Sequence, residues 1–181
     1  MNFRLATIDD MLGIAKVGVD TWRTTYHSIL PADLLRNLSY EEKEIKNRRR
    51  FEDPNIKRFI YIAENDSKKI IGFSMGSLEI WNYTSTIPEI KSHIGELMAV
   101  YVLQEYQRNH IGLELVKLIV KYLFENNIRR MIVWVLKGNP HYKFYEILGG
   151  KYLGQKLLEI EGKNYVEHAY GWQDITKILE I

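Results

Sequence analysis

Cysteine is absent from this chain. Disulfides, thiolate metal sites and a cysteine nucleophile are thereby excluded. No apolar run is long enough to cross a membrane. The start, Met1-Asn2-Phe3-Arg4, lacks the charged and apolar regions of a signal peptide. A cytoplasmic location and no membrane partner are therefore expected. Neither charge is in large excess: 25 Lys and Arg against 23 Asp and Glu leave a net charge of +2. That balance is too weak to suggest bulk nucleic-acid binding, so no nucleic-acid partner is expected. Internal repeats, low-complexity tracts and linker-like stretches are also missing. One domain spanning residues 1–181 is the expectation. What the chain does have is a 46% hydrophobic content, with twelve tyrosines and four tryptophans. Those aromatics suit a cleft with apolar walls and polar tips, and equally a core with hydrogen-bonded rims.

Phe3 to Ala6 reads as a first strand, and Thr7 to Asp10 offers caps for a helix over about Asp10 to Tyr26. Ile14, Val17 and Thr21 with Trp22 form its apolar stripe. Pro31 suits the first turn of a short helix through Leu38. Ser39 with Glu42 matches a capping box for a third helix that runs through Arg48-Arg49-Arg50. The period then shifts. Arg58 to Glu64 and Ile70 to Trp81 read as strands joined by the polar turn Asn65 to Lys69. Asn82 to His93 is an irregular connection. Ile94 to Leu103 is an apolar strand, Gly112 to Asn126 a helix, and Met131 to Leu136 a strand buried on both faces. Pro140 to Leu148 is a short helix ended by Gly149-Gly150. Tyr152 to Ile160 and Asn164 to Trp172 make a final hairpin around Glu161-Gly162-Lys163. This order predicts an α/β (α+β) fold: a mixed, mostly antiparallel sheet of about seven strands with helices on both faces.

The stretch with most chemical content is Gln107-Arg108-Asn109-His110-Ile111-Gly112, a polar loop between an apolar strand and a helix. A helix start leaves backbone N–H groups without intrahelical partners and carries partial positive charge. Such a loop suits phosphate.

This loop resembles the acetyl-CoA motif of the GCN5-related N-acetyltransferase (GNAT) family, commonly Q/R-x-x-G-x-G/A between a strand and a helix. A second match follows at the family's separation: Asn139-Pro140, then Phe144-Tyr145-Glu146-Ile147-Leu148-Gly149-Gly150. The N-terminal Trp22-Arg23-Thr24-Thr25-Tyr26 with Ile29-Leu30-Pro31, and the final Tyr170-Gly171-Trp172, are similar to a bacterial branch of small-molecule members. The resemblance covers the whole chain in element order. It departs at His110, where the family has glycine, and at Gln104, where proline is frequent. A positive φ at His110 would cost roughly 1 kcal/mol. Its imidazole either turns to solvent or lies near a phosphate, where it would make affinity pH-dependent.

The resemblance implies transfer of an acetyl group from acetyl-CoA to a primary amine of a small molecule or peptide, with no metal. Backbone N–H groups of Gln107, Arg108, Asn109, His110, Ile111 and Gly112 would hold the pyrophosphate. Val100, Tyr101 and Val102 would pair with the pantetheine arm, with an N–H near Tyr101 or Val102 as oxyanion donor. Asn139 would bond the same arm, or it serves as a turn-former or cap before Pro140. Tyr145 is the implied general acid, since a phenol with pKa near 10 is protonated at neutral pH; the competing reading is a core tyrosine. Glu96 is the candidate base if burial raises its pKa, or else a solvated strand-end charge; Tyr101 and His93 stand behind it. Trp22, Tyr26, Trp81 and Tyr83 lie on segments that wall the acceptor cleft in similar proteins and suit a cationic amine. Arg48-Arg49-Arg50 reads as a solvated helix face, or as a contact for the 3′-phosphate or nucleic acid. A non-catalytic acyl-CoA sensor is the alternative function. The exposed aromatics and terminal hairpin also offer a surface for a homodimer.

Overall fold

A computed structural model describes residues 1–79 and 94–181. Its strands are β1 (Asn2–Leu5), β2 (Arg58–Glu64), β3 (Ile70–Ser77), β4 (Ile94–Val102), β5 (Arg130–Leu136), β6 (Lys151–Ile160) and β7 (Lys163–Trp172). The helices are α1 (Met11–Thr25), α2 (Ala32–Arg36), α3 (Tyr40–Glu52), α4 (Ile111–Glu125) and α5 (Lys143–Ile147). The seven strands form one sheet in the order β1-β2-β3-β4-β5-β7-β6. β4 and β5 are parallel, whereas β1–β2, β5–β7 and β6–β7 are antiparallel. The expected mixed sheet is therefore present. The chain divides into two compact units, residues 1–76 with 99–119 and residues 77–98 with 120–181, so the division passes within β4 and α4.

In the first unit the helices lie on both faces of β3. Gly18 of α1 faces the Phe73 ring. On the other side, the hydroxyl of the next residue, Ser74, donates to the carbonyl of Leu115 on α4 at 3.0 Å. Alternation along a strand places such neighbours on opposite faces. Ile14, Val17, Ile62, Ile71, Phe73, Ile111 and Leu115 make the core. Each large apolar side chain buried this way contributes about 1.5–3 kcal/mol. Arg4 ties the open end together. Its guanidinium donates to both oxygens of Asp10 at 2.7 Å and to Glu64 at 2.6 Å. That contact holds both carboxyls below their usual pKa range.

Local signals explain most element ends. Ser39 caps α3 by accepting from the Glu42 N–H at 3.2 Å, and its hydroxyl donates to the Glu41 carboxylate; the Glu42 side chain does not accept from the Ser39 N–H, so the capping box is half made. α5 ends in a Schellman motif: Gly149 at φ 83° donates to Glu146, and Gly150 donates to Tyr145. Positive φ at Glu161 and Gly162 closes the last hairpin as a primed turn. Three expectations shift. α1 begins at Met11, because a 3-10 turn over Ile8–Asp10 precedes it. α5 begins at Lys143 rather than Pro140, since Asn139 organises a separate turn there. β3 ends at Ser77, and Trp81 lies outside the described residues. A closing 3-10 segment, Ile175–Glu180, had no clear period to reveal it. Among the described residues no helix is long and apolar enough to cross a membrane.

Candidate functional site

The first unit holds the loop. Leu103, the residue after β4, donates to the Ile71 carbonyl at 2.9 Å. Close approach of β3 requires Gly72, where a Cβ would sit 3.0 Å from the Tyr101 carbonyl oxygen. A 3-10 turn over Gln104–Tyr106 follows. The Gln107 side chain then reaches back to donate to the Val102 carbonyl at 3.0 Å, bracing the loop on the strand. Asn109 donates to the carbonyls of Tyr106 and Gln107. Arg108 and His110 have φ of 65° and 58°. Left-handed residues next to residues of ordinary φ are the backbone ingredients from which anion-binding nests are built. The His110 carbonyl accepts from Glu114 N–H at 3.1 Å and so opens α4. The N–H groups of the first turn, Ile111 and Gly112 included, have no intrahelical acceptor. Histidine thus adopts the backbone that glycine would favour. Its side chain is exposed, as are those of Arg108 and Asn109.

Beside this loop the half-buried residues Val100, Tyr101 and Val102 finish β4. The Trp22 indole donates to the Tyr101 hydroxyl at 3.0 Å. Tyr26 meets Trp22 edge-on at 5.3 Å, and Phe73 meets Tyr101 at 5.5 Å. Three of the sequence candidates, Trp22, Tyr26 and Tyr101, are therefore in one aromatic cluster. Tyr26 is buried within it and Trp22 is half-buried.

The second unit holds the rest. Glu96 is 6% exposed, so it is not a solvated strand-end charge. It stands opposite Ile132 of β5. Asn139 is 7% exposed, and its side-chain oxygen accepts from His141 N–H at 2.8 Å. This side chain shapes the turn leaving β5 rather than capping α5. Asn139 also lines a cavity of about 300 Å³ with Lys137, Tyr142, His168 and Tyr170. Tyr145 is 8% exposed and stacks on Tyr170 with ring centres 6.2 Å apart and planes 23° apart. Burial first, then Glu146, push the Tyr170 phenol above its ordinary pKa. Gly150 leaves little room for a side chain, since a Cβ would lie 2.8 Å from the Tyr145 carbonyl oxygen and 2.7 Å from Trp172. In the sequence Tyr170 stands out only within the closing Tyr170-Gly171-Trp172, with no signal linking it to Tyr145. Trp81, Tyr83 and His93 lie outside the described residues.

A sheet of this strand order, with a strand-loop-helix connection from β4 to α4, defines the class of acetyl-transferring GNAT folds. Residues 20–149 match the Acetyltransferase (GNAT) family, and the chain belongs to that family. An uncharacterised N-acetyltransferase of Bacillus subtilis (strain 168), YuaI, is 34% identical over 179 residues, covering 98% of this chain and 96% of its own. Among solved structures, the PaiA N-acetyltransferase of Thermoplasma acidophilum in complex with coenzyme A superposes with a TM-score of 0.66 at 20% identity, over 93% of this chain and 98% of that one. A ribosomal-protein-alanine N-acetyltransferase of Brucella melitensis gives 0.66 at 17%, over 95% and 99%. These structural likenesses speak to the fold.

Proposed function

We propose that the chain, as one domain over residues 1–181, transfers the acetyl group of acetyl-CoA to a primary amine of a small molecule or peptide by direct attack. The observation that carries this reading is the left-handed pair Arg108 and His110 in the loop between β4 and α4. Non-glycine residues in that conformation cost about 1 kcal/mol or more each, and such strain clusters at ligand clamps. An amide nest at a helix start fits a pyrophosphate.

Acetyl-CoA would supply an activated thioester. Backbone N–H groups from Gln107 to Gly112 would hold its phosphates, with Arg108 adding charge. The end of β4, Val100 to Val102, would pair with the pantetheine amide as a sheet edge pairs with a peptide. Asn139 would bond the same arm. A backbone N–H near Tyr101 or Val102 would face the carbonyl oxygen as charge develops on it. Glu96 would take a proton from the incoming ammonium, directly or through water. At 6% exposure its carboxyl group is set apart from bulk solvent. Tyr145 would donate its phenolic proton to the departing thiolate. Its stacking on Tyr170 keeps the ring in one orientation.

Titration of acetyl-CoA by calorimetry, followed by a thiol-release screen of amine acceptors, tests the reading. Saturable binding with amine-dependent thiol release is expected. Absence of binding would sink the proposal, and binding without release for any amine would favour the sensor alternative.

A further inference from the structure

Tyr170 of β7 is 4% exposed, and its ring is fixed from two sides. Tyr145 stacks on it with centres 6.2 Å apart, and Tyr152 meets it edge-on at 6.2 Å. Its backbone is held opposite Val133 of β5. Its hydroxyl, by contrast, makes no hydrogen bond to a described residue. A buried tyrosine O–H ordinarily finds a partner. Other aromatic polar tips in this chain do. The Trp172 indole, two residues on, donates to the Leu148 carbonyl at 2.7 Å, and the Tyr40 hydroxyl donates to Asp20 at 2.6 Å. For packing alone, phenylalanine would serve equally well at position 170.

Tyr170 shares with Asn139 the wall of the cavity of about 300 Å³. That volume equals about ten waters at ~30 Å³ each. It lies at the lower end of the range for small-molecule sites. Val135, Leu136 and Pro140 give the wall apolar stretches. Asn139 and Tyr170, both more than nine-tenths buried, give it polar tips. No carboxylate of a described residue lines it. Burial and the nearby Glu146 keep the phenol protonated, so it can donate. All of these residues belong to one compact unit. Such a wall suits a chain in which amide carbonyls alternate with short apolar runs, and the pantetheine arm is such a chain.

We propose that the Tyr170 hydroxyl donates a hydrogen bond to an amide carbonyl of the pantetheine arm of acetyl-CoA, beside Asn139. This deepens the transfer reading above and rests on it. The two stacked tyrosines then divide the work: Tyr145 serves the chemical step, and Tyr170 serves cofactor binding. Because the ring is already fixed, little side-chain freedom is lost when the bond forms.

Calorimetry on the full chain with two ligands tests this: acetyl-CoA, and adenosine 3′,5′-bisphosphate, which carries phosphates but no arm. Tyr170→Phe should weaken acetyl-CoA binding about three- to tenfold, the size of one hydrogen bond, and leave the bisphosphate affinity as it was. The same factor should appear in KM for acetyl-CoA and not in kcat. The variant should melt at or above the wild-type temperature, since the lost hydroxyl has no partner in the protein. An unweakened acetyl-CoA affinity overturns the proposal and leaves the transfer reading standing. An equal loss for both ligands overturns it as well, because the effect then does not come from the arm. A fall in kcat with affinity kept would move Tyr170 into the chemical step and overturn its assignment to binding. If Tyr170→Phe melts lower, the wild-type complex decides: nuclear Overhauser effects between the Tyr170 ring protons and the methylene protons of the arm are expected, and their absence overturns the proposal. Absence of acetyl-CoA binding to the wild type overturns the transfer reading and this proposal together.

Discussion

The loop from Leu103 to Gly112 and the segment from Asn139 to Gly150 solve different problems by different means. The first is a backbone device. Its side chains at Arg108, Asn109 and His110 are exposed, and its character comes from two left-handed residues and a helix start. The second is a side-chain device. Asn139 and Tyr145 are both buried, each placed by specific contacts to its turn or to Tyr170. Substitutions in the loop should therefore act through permitted φ. Those in the second segment should act through the atoms removed or added.

The sharpest way to break this contrast is Tyr145→Phe. Loss of one oxygen should lower turnover about 10²–10⁴-fold, the range for a general acid, with acetyl-CoA affinity kept. Steady-state kinetics beside calorimetry check it, and unchanged turnover would remove Tyr145 from the chemistry.

Next in size is a control on the fold that leaves both segments alone. Arg4→Met strips Asp10 and Glu64 of their partner. The cost should be about 2–3 kcal/mol, somewhat below that of a fully buried pair because Arg4 is a third exposed. The carboxyl pKa values are depressed in the folded state, so this contribution is present above their unfolded values of about 3.9 and 4.3. It is lost as pH falls through the folded values. Chemical denaturation from pH 7 down to pH 2 should show the wild type converging on the variant at the acid end.

Gly150→Ala should cost about 1–3 kcal/mol, since its new methyl collides with Trp172 and the Tyr145 carbonyl. Turnover should fall with stability if Tyr145 shifts. A variant as stable and active as wild type would show that this packing is looser than the distances imply. The smallest effects belong to the loop. His110→Gly should keep acetyl-CoA binding and gain up to about 1 kcal/mol of stability by relieving the left-handed strain. His110→Val, β-branched at positive φ, should lose about 1–2 kcal/mol of stability, cofactor binding or both. If the two substitutions behave alike, the backbone account of the loop fails.

How much of this could be read from residues alone follows the same division. Cap and turn chemistry was legible where one residue type has one local use: Ser39 before α3, Gly149-Gly150 after α5, Glu161-Gly162 in the last hairpin. Gln107 to Gly112 was legible as a phosphate loop by position. The left-handed φ of His110 was raised only through the glycine the family has at that position, and that of Arg108 had no signal. The run Arg48-Arg49-Arg50 looked uniform in sequence. Helix geometry separates it into a half-buried Arg48 paired with Glu44, and exposed Arg49 and Arg50. Tyr145 was placed by resemblance. Its stacking partner Tyr170 is 25 positions away, on β7.

The central claim is that the amides of residues 107–112 hold acetyl-CoA. Titration of acetyl-CoA into ¹⁵N-labelled protein, read at the backbone amides, tests it most directly. Saturable shifts at Arg108, Asn109, His110, Ile111 and Gly112, retained in His110→Gly, are the predicted result. Saturable binding that leaves these amides unmoved would contradict the account.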